Sequence, residues 1–169
     1  MWAHIDIDGL DPQARWHSLR ESLTGLLSPA DHPITVLANA AAFIYETTDR
    51  LNWAGFYLFD GSQLVLGPFC GKPACTSIRL GNGVCGTAAE RRETVVVADV
   101  DAFPGHIACD GASRSEIVLP MIAADGKLIG VLDIDSPELD RFDENDRRGL
   151  EQLRDVVVER LAGRVVLAT

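Results

Sequence analysis

The chain has no basic excess. Its 169 residues carry fifteen Lys and Arg against twenty-five Asp and Glu, a net charge of −10. That balance disfavours nucleic acid and anionic membrane surfaces as partners, because both need basic patches. It suits a cationic or zwitterionic ligand, and also serves plain solubility. No apolar stretch reaches the ~18 residues of a membrane span. The N-terminus, MWAHIDIDGL, has neither the basic region nor the apolar run of a secretory signal. The expected location is the cytoplasm, where thiols stay reduced and structural disulfides are rare.

Internal repeats, low-complexity tracts and C-x-x-C pairs are also missing. The cysteines stand at positions 70, 75, 85 and 109 without the close pairing of zinc ligands, so a structural zinc is not expected. A buried, inert thiol is the simple account of each one alone, but their clustering weakens that account. What is present, 47% apolar and 24% charged residues, suits one soluble domain with a sizeable core.

The elements follow from periodicity and punctuation. Asp11-Pro12 opens a first helix with inward Trp16, Leu19, Leu23 and Leu26, and Ser28-Pro29 ends it. A second helix runs from about Pro33 to Thr47, with Ile34, Leu37, Ala41 and Ile44 expected inward. From Asn52 the period becomes two: Trp53, Gly55, Tyr57 and Phe59 share one strand face, and Gly61-Ser62 turns into a return strand over 63–69. A short strand over 76–80 leads into GNGVCG and a short helix ending near Arg92. Thr94 to Ala98 reads as a buried strand, and the irregular segment 99–113 as a functional loop. Strands over 115–121 and 127–135 form a hairpin with Asp125-Gly126 at its tip. Asp143 caps a last helix with Leu150, Leu153, Val157 and Leu161 inward. The expected organisation is one α+β domain over 1–169: a helical segment 1–50, a mainly antiparallel sheet with the active site over 51–140, and a C-terminal helical segment 141–169.

A two-residue tip at Asp125-Gly126 makes partners across the last hairpin sum to 251. Glu116 then faces Asp135, Val118 faces Asp133, and the three carboxylates converge on one face, about 5–8 Å apart. Like charges so opposed are destabilising, so a bound cation or ammonium would offset them, and repulsion would keep a proton on at least one carboxyl. Ile129 and Val131 are expected to continue that face inward. Trp53 and Tyr57, two pleats apart, suit a thioether, a methyl group or a cation, although core packing explains their spacing more simply.

Cys109 lies in the irregular FPGHIACDGASRSE stretch, where His106 could favour its thiolate, and Cys85 sits at a helix start, where the backbone favours a thiolate too. Together they read as a reactive pair, one attacking and one resolving a sulfenic acid. The rival reading takes GNGVCG as a G-x-G-x-x-G phosphate loop, with Val95 to Asp99 as the acid-ending second strand. Against it stand the short helix and the antiparallel surroundings.

The runs WAGFY, GPFCGKPAC, GNGVCGTAA, VVVADVDAFPGHIACD, SEIVLP and IGVLDIDSP resemble those of the GAF-domain free methionine-R-sulfoxide reductases, over roughly residues 30 to 160. The resemblance implies a GAF-like, six-stranded antiparallel sheet with flanking helices and reduction of free methionine-R-sulfoxide. It implies Cys109 as nucleophile, Cys85 as resolving thiol and Cys75 as an auxiliary cysteine. It makes Trp53 and Tyr57 the methyl-sulfoxide pocket and Glu116, Asp133 and Asp135 the acids that hold substrate. Thioredoxin or a similar dithiol would recycle the enzyme, and the reaction so implied needs no metal or bound cofactor. The chain is compatible with a homodimer. Cys70 departs from the family pattern. The alternative is a non-catalytic GAF module sensing redox state or a small molecule, disfavoured by the lack of any attached output domain.

Overall fold

The computed structural model describes residues 5–105, 111–162 and 164. Helices α1 (Pro12–Leu26) and α2 (Pro33–Thr47) precede β1 (Trp53–Phe59), β2 (Gln63–Gly71) and β3 (Ser77–Arg79). Then come α3 (Gly83–Arg91), β4 (Val95–Val97), a 3-10 turn (Val100–Ala102), β5 (Ser115–Ile122), β6 (Leu128–Ser136) and α4 (Glu144–Leu161). The six strands form one antiparallel sheet in the order β3-β2-β1-β6-β5-β4. Both ends of the chain therefore feed helices, while the sheet centre is built from β1 and β6.

Local chemistry sets the helix boundaries. The Asp11 carboxylate accepts from the Ala14 N–H at 2.8 Å, with Pro12 in the first turn, as the sequence predicted. At α2 the cap is His32, whose Nδ1 accepts from the Ile34 N–H. Asp143 and Asp146 exchange the two bonds of a capping box at α4. Gly149, inside α4, is required by Trp16 of α1: a Cβ there would lie 2.0 Å from the indole ring.

Helices α1, α2 and α4 cover one sheet face. Their apolar stripes meet Ala54, Phe56 and Leu58 of β1, Ile117, Leu119 and Met121 of β5, and Leu132 and Ile134 of β6. The other face holds a second cluster, with Trp53, Tyr57, Val118 and Val131 from the sheet and Val84, Cys85, Ala88 and Ala89 from α3. No helix among the described residues is long and apolar enough to cross a membrane.

Three expectations need correction. Ile34 is 53% exposed, because the inward stripe of α2 is set by Val36, Leu37, Ala40, Ala41, Phe43 and Ile44, leaving the first turn off it. The strand over 95–97 is an edge strand: Val97 is buried but Val96 is 39% exposed, since only β5 pairs with it. Ile129 packs toward the helices and not beside Val131. Here the ladder shifts, with Ile122 opposite Leu128 but Met121 opposite Gly130, so Ile129 is an extra, bulged residue.

That bulge has a second effect. The turn is wider than a two-residue tip: the Ala123 N–H bonds the Lys127 carbonyl and the Gly126 N–H bonds the Ala123 carbonyl. Such a turn starts the ladder one residue out of step, and the bulge restores the step. Glu116 faces Asp135 and Val118 faces Asp133, as predicted.

Candidate active site

Strand β6 lies between β1 and β5, and this places the acids between aromatics and α3. Asp135 pairs with Trp53 on one side and Glu116 on the other; Asp133 pairs with Gly55 and Val118. Paired residues share a face, so Glu116, Asp133 and Asp135 stand on the face of Trp53 and Tyr57, under α3. Gly55 is bare for a reason. A Cβ at that position would lie 2.3 Å from the Phe69 Cβ and 2.7 Å from the Trp53 ring. The space it leaves lets Trp53 stack on Phe69 (centroids 5.3 Å apart) and on Tyr57 (5.9 Å). The Trp53 indole N–H donates to the Lys72 carbonyl at 3.1 Å, fixing the ring. Phe69 was absent from the sequence reading; an aromatic opposite a glycine in the β1–β2 hairpin was the signal.

The acids are deeply buried. Glu116 and Asp133 are each 6% exposed, and Cys85, in the first turn of α3, is 4% exposed. One ligand atom from each of Cys85, Glu116 and Asp133 lies within 4.8 Å of the other two. The Cys85 thiol donates to Glu116 Oε1 at 3.9 Å. Asp133 Oδ1 is buried with no hydrogen-bond partner.

Burial in turn governs ionisation. Glu116 is pushed well above the ordinary carboxyl range by desolvation, then by the charges of Asp133 and Asp135. Asp133 is raised to about 6 by desolvation, against hydrogen bonds from Cys85 and Glu116 that favour its charge. The pair therefore holds a proton near neutrality, and Glu116 is the side that keeps it. Tyr57 is driven far up by burial, then by Asp133 and Cys85, and stays a phenol.

Cys85 behaves oppositely to the expectation from its helix position. Burial, followed by Asp133 and Glu116, pushes the thiol well above its usual range. A helix end is worth typically 0.3–1 kcal/mol; losing water beside two acids costs a thiolate more. Cys85 is a free thiol, as is Cys70, whereas Cys75 is disulfide-bonded. Cys75 packs against the cluster of Trp53, Tyr57 and Cys85. Cys70 pairs with Ala54, on the helix-covered face, which separates it from the acids. His106 and Cys109 lie outside the described residues. The flanks of their segment are tied together by the Val100 N–H to the Arg114 carbonyl at 2.9 Å, two residues before Glu116.

Three amides of the glycine-rich turn are spent inside the turn itself, and Gly83, Val84 and Cys85 behind them are buried against the sheet. The Gly81 N–H bonds the Gly86 carbonyl, Asn82 bonds Arg79 and Gly86 bonds Asn82. Gly81 and Gly83 take left-handed φ of 79° and 59°, and a Cβ on Gly86 would lie 2.3 Å from the Arg79 carbonyl. These glycines serve close packing of α3 on the sheet.

Relatives carry the same arrangement of chain. The family model described as GAF domain matches residues 33–158. The free methionine-R-sulfoxide reductase of Escherichia coli is 49% identical, with 80% of this chain and 81% of that protein covered. A crystal structure of the Neisseria meningitidis free methionine-R-sulfoxide reductase in complex with its substrate is 42% identical. It superposes with a TM-score of 0.86, over 98% of this chain and 100% of that one. A structure described as a putative GAF sensor protein from Burkholderia vietnamiensis is 56% identical, with a TM-score of 0.86, covering 89% of this chain and 96% of that one. With the six-stranded antiparallel sheet and the buried cysteine–carboxylate site beneath α3, these findings make the chain a member of the GAF-domain family, in the group of the free methionine-R-sulfoxide reductases.

Proposed function

We propose that this protein reduces free methionine-R-sulfoxide to methionine. The observation that carries the reading is the buried, proton-holding Glu116–Asp133 pair beside the aromatic wall of Trp53 and Tyr57. A sulfoxide presents a methyl group that aromatic faces accept and an oxygen that must take up protons to leave. The relatives named as reductases of this substrate support the same choice.

In the reaction, the Cys109 thiolate attacks the sulfoxide sulfur. Glu116, carrying the shared proton, protonates the departing oxygen, with Asp133 as its partner and Tyr57 as a neutral donor at the wall. The methionine S–O bond breaks as the hydroxyl passes to the Cys109 sulfur. The transient bond between the two sulfurs breaks with its electron pair returning to methionine, and methionine leaves with Cys109 as a sulfenic acid. A second thiol displaces that hydroxyl as water and closes a disulfide; thioredoxin or a similar dithiol then reopens it. We assign the second thiol to Cys75, in place of the Cys85 expected from sequence. The disulfide-bonded state of Cys75 supports this, and a buried thiol held protonated between two acids is a poor resolving nucleophile. Asp135, next to Glu116 and less buried, is the candidate partner for the substrate ammonium, a group that a peptide-linked methionine lacks. A reducing compartment such as the cytoplasm suits this cycle.

The test is methionine release from free L-methionine-R-sulfoxide with a dithiol present. Cys109→Ser should abolish turnover, and Cys75→Ser should release about one methionine per chain when thioredoxin is the reductant. Full multiple turnover by Cys109→Ser would sink the proposal. The sensing alternative, suggested by the Burkholderia relative's description, predicts sulfoxide binding with no methionine formed.

A further inference from the structure

We propose that Cys85, Glu116 and Asp133 also form a binding site for a thiophilic divalent cation of the Zn2+ class, which competes with the sulfoxide for the carboxylates. The inference gives a role to the one buried thiol that the proposed reaction does not use, and it rests on that reaction only for its inhibitory consequence.

The three donors come from three elements, α3, β5 and β6, and converge from different sides. Their atoms lie within 4.8 Å of one another, with the Cys85 Sγ to Glu116 Oε1 distance at 3.9 Å. Around a tetrahedral zinc, bond lengths of about 2.0–2.3 Å set neighbouring donors roughly 3.3–3.7 Å apart. A contraction of about an ångström therefore closes the site. The second, independent observation is Asp133 Oδ1, which is buried and has no hydrogen-bond partner. A bare carboxylate oxygen at that depth is costly unless a donor or cation meets it.

The donor set selects the ion. Magnesium and calcium demand oxygen cages and keep their waters, and a thiolate suits neither. One sulfur and two oxygens suit borderline and soft ions, with a fourth position open to water. Binding must displace the thiol proton and the proton shared by the acids, so affinity rises with pH. With both acids on the metal, no acid proton remains for the sulfoxide oxygen, and reduction stops.

The probe is the metal itself. Reduced, chelator-treated wild-type protein is titrated with Zn2+ against a chromophoric chelator, and with Cd2+ for the thiolate-to-metal charge-transfer band in the ultraviolet. A Cys70→Ser/Cys75→Ser/Cys109→Ser variant, leaving Cys85 as the only thiol, is run beside it. Both proteins should bind one ion with a Cys85-dependent band. Glu116→Gln and Asp133→Asn should each weaken Zn2+ about tenfold or more, and Cys85→Ala should remove the band in the single-thiol background. If that background fails to fold, the same comparison is made as the band lost between wild type and Cys85→Ala. No Cys85-dependent band, or Zn2+ affinity unchanged by both carboxyl variants, would overturn the site. Neither result bears on whether methionine is released in metal-free buffer, so the two proposals fail separately.

Discussion

Glu116 and Ile117 are neighbours in β5 and both are buried, yet their surroundings have little in common. Ile117 looks toward α1, α2 and α4, into a cluster of apolar side chains with Phe56, Leu119 and Ile134. Glu116 looks the other way, toward Cys85 and Asp133, where burial holds a proton on an acid that water would ionise. One face of the sheet gains stability from each residue it covers, at about 25 cal/mol per Å2 of apolar area. The opposite face gives some back, because two acids share a dry space. Separating the two in one sheet lets the site be strained without softening the fold.

Glu116→Gln tests that separation with the largest expected effect. It removes the proton donor but keeps the shape, so kcat/KM should fall by about 10^2- to 10^4-fold. Thermal stability at neutral pH should hold or rise. A loss of both activity and several degrees of Tm would mean that the acid is a structural strut, and the contrast between faces would collapse.

Leu119→Ala is the mirror experiment. Leu119 is fully buried on the helix side, and its truncation should cost about 2–5 kcal/mol in urea unfolding. The kcat/KM of the remaining folded protein should stay within about twofold, equivalent to well under 1 kcal/mol in the barrier. A large loss of kcat/KM at constant folded fraction would show that the helix face sets the site's geometry directly.

The smallest effect sharpens the comparison by pH. Glu116 and Asp133 have folded-state pKa values raised above their ordinary values, so the native protein holds protons that the unfolded chain has released. Their contribution is complete below about pH 4, the unfolded carboxyl range. It is lost as pH rises through about 6 for Asp133 and higher for Glu116. Wild type should therefore lose stability relative to Glu116→Gln between pH 5 and pH 8, by on the order of 1 kcal/mol or more. Equal pH slopes for the two proteins would show that the acid pair imposes no such burden.

Much of this design is visible in the residues alone, and the exceptions have physical causes. Alternation in β1, β5 and β6 gives the shared face of Trp53, Tyr57 and the three acids, because a period of two leaves no other choice. The start of α3 is equally legible in GNGVCG. The character of Cys85 is not. Its place on a helix was readable, but its ionisation depends on Asp133 and Glu116 closing over it, and those contacts span the fold. The exposure of Val96 depends on its strand being last in the sheet, which the order of strands along the chain does not say. Ile129 changed sides because of one bulge, and a period read from sequence assumes none.

The same bulge bears on how the chain finds its fold. If the β5–β6 ladder continued in the step set by the Ala123–Lys127 turn, every residue of β6 beyond Ile129 would exchange faces. Leu132 and Ile134 would lie against α3, and Asp133 and Asp135 would point among Phe56, Leu119 and the helices. Two carboxylates in that oil would be far costlier than where they are now. The acids thus help to specify the pairing, because the slipped register would carry them onto the apolar face.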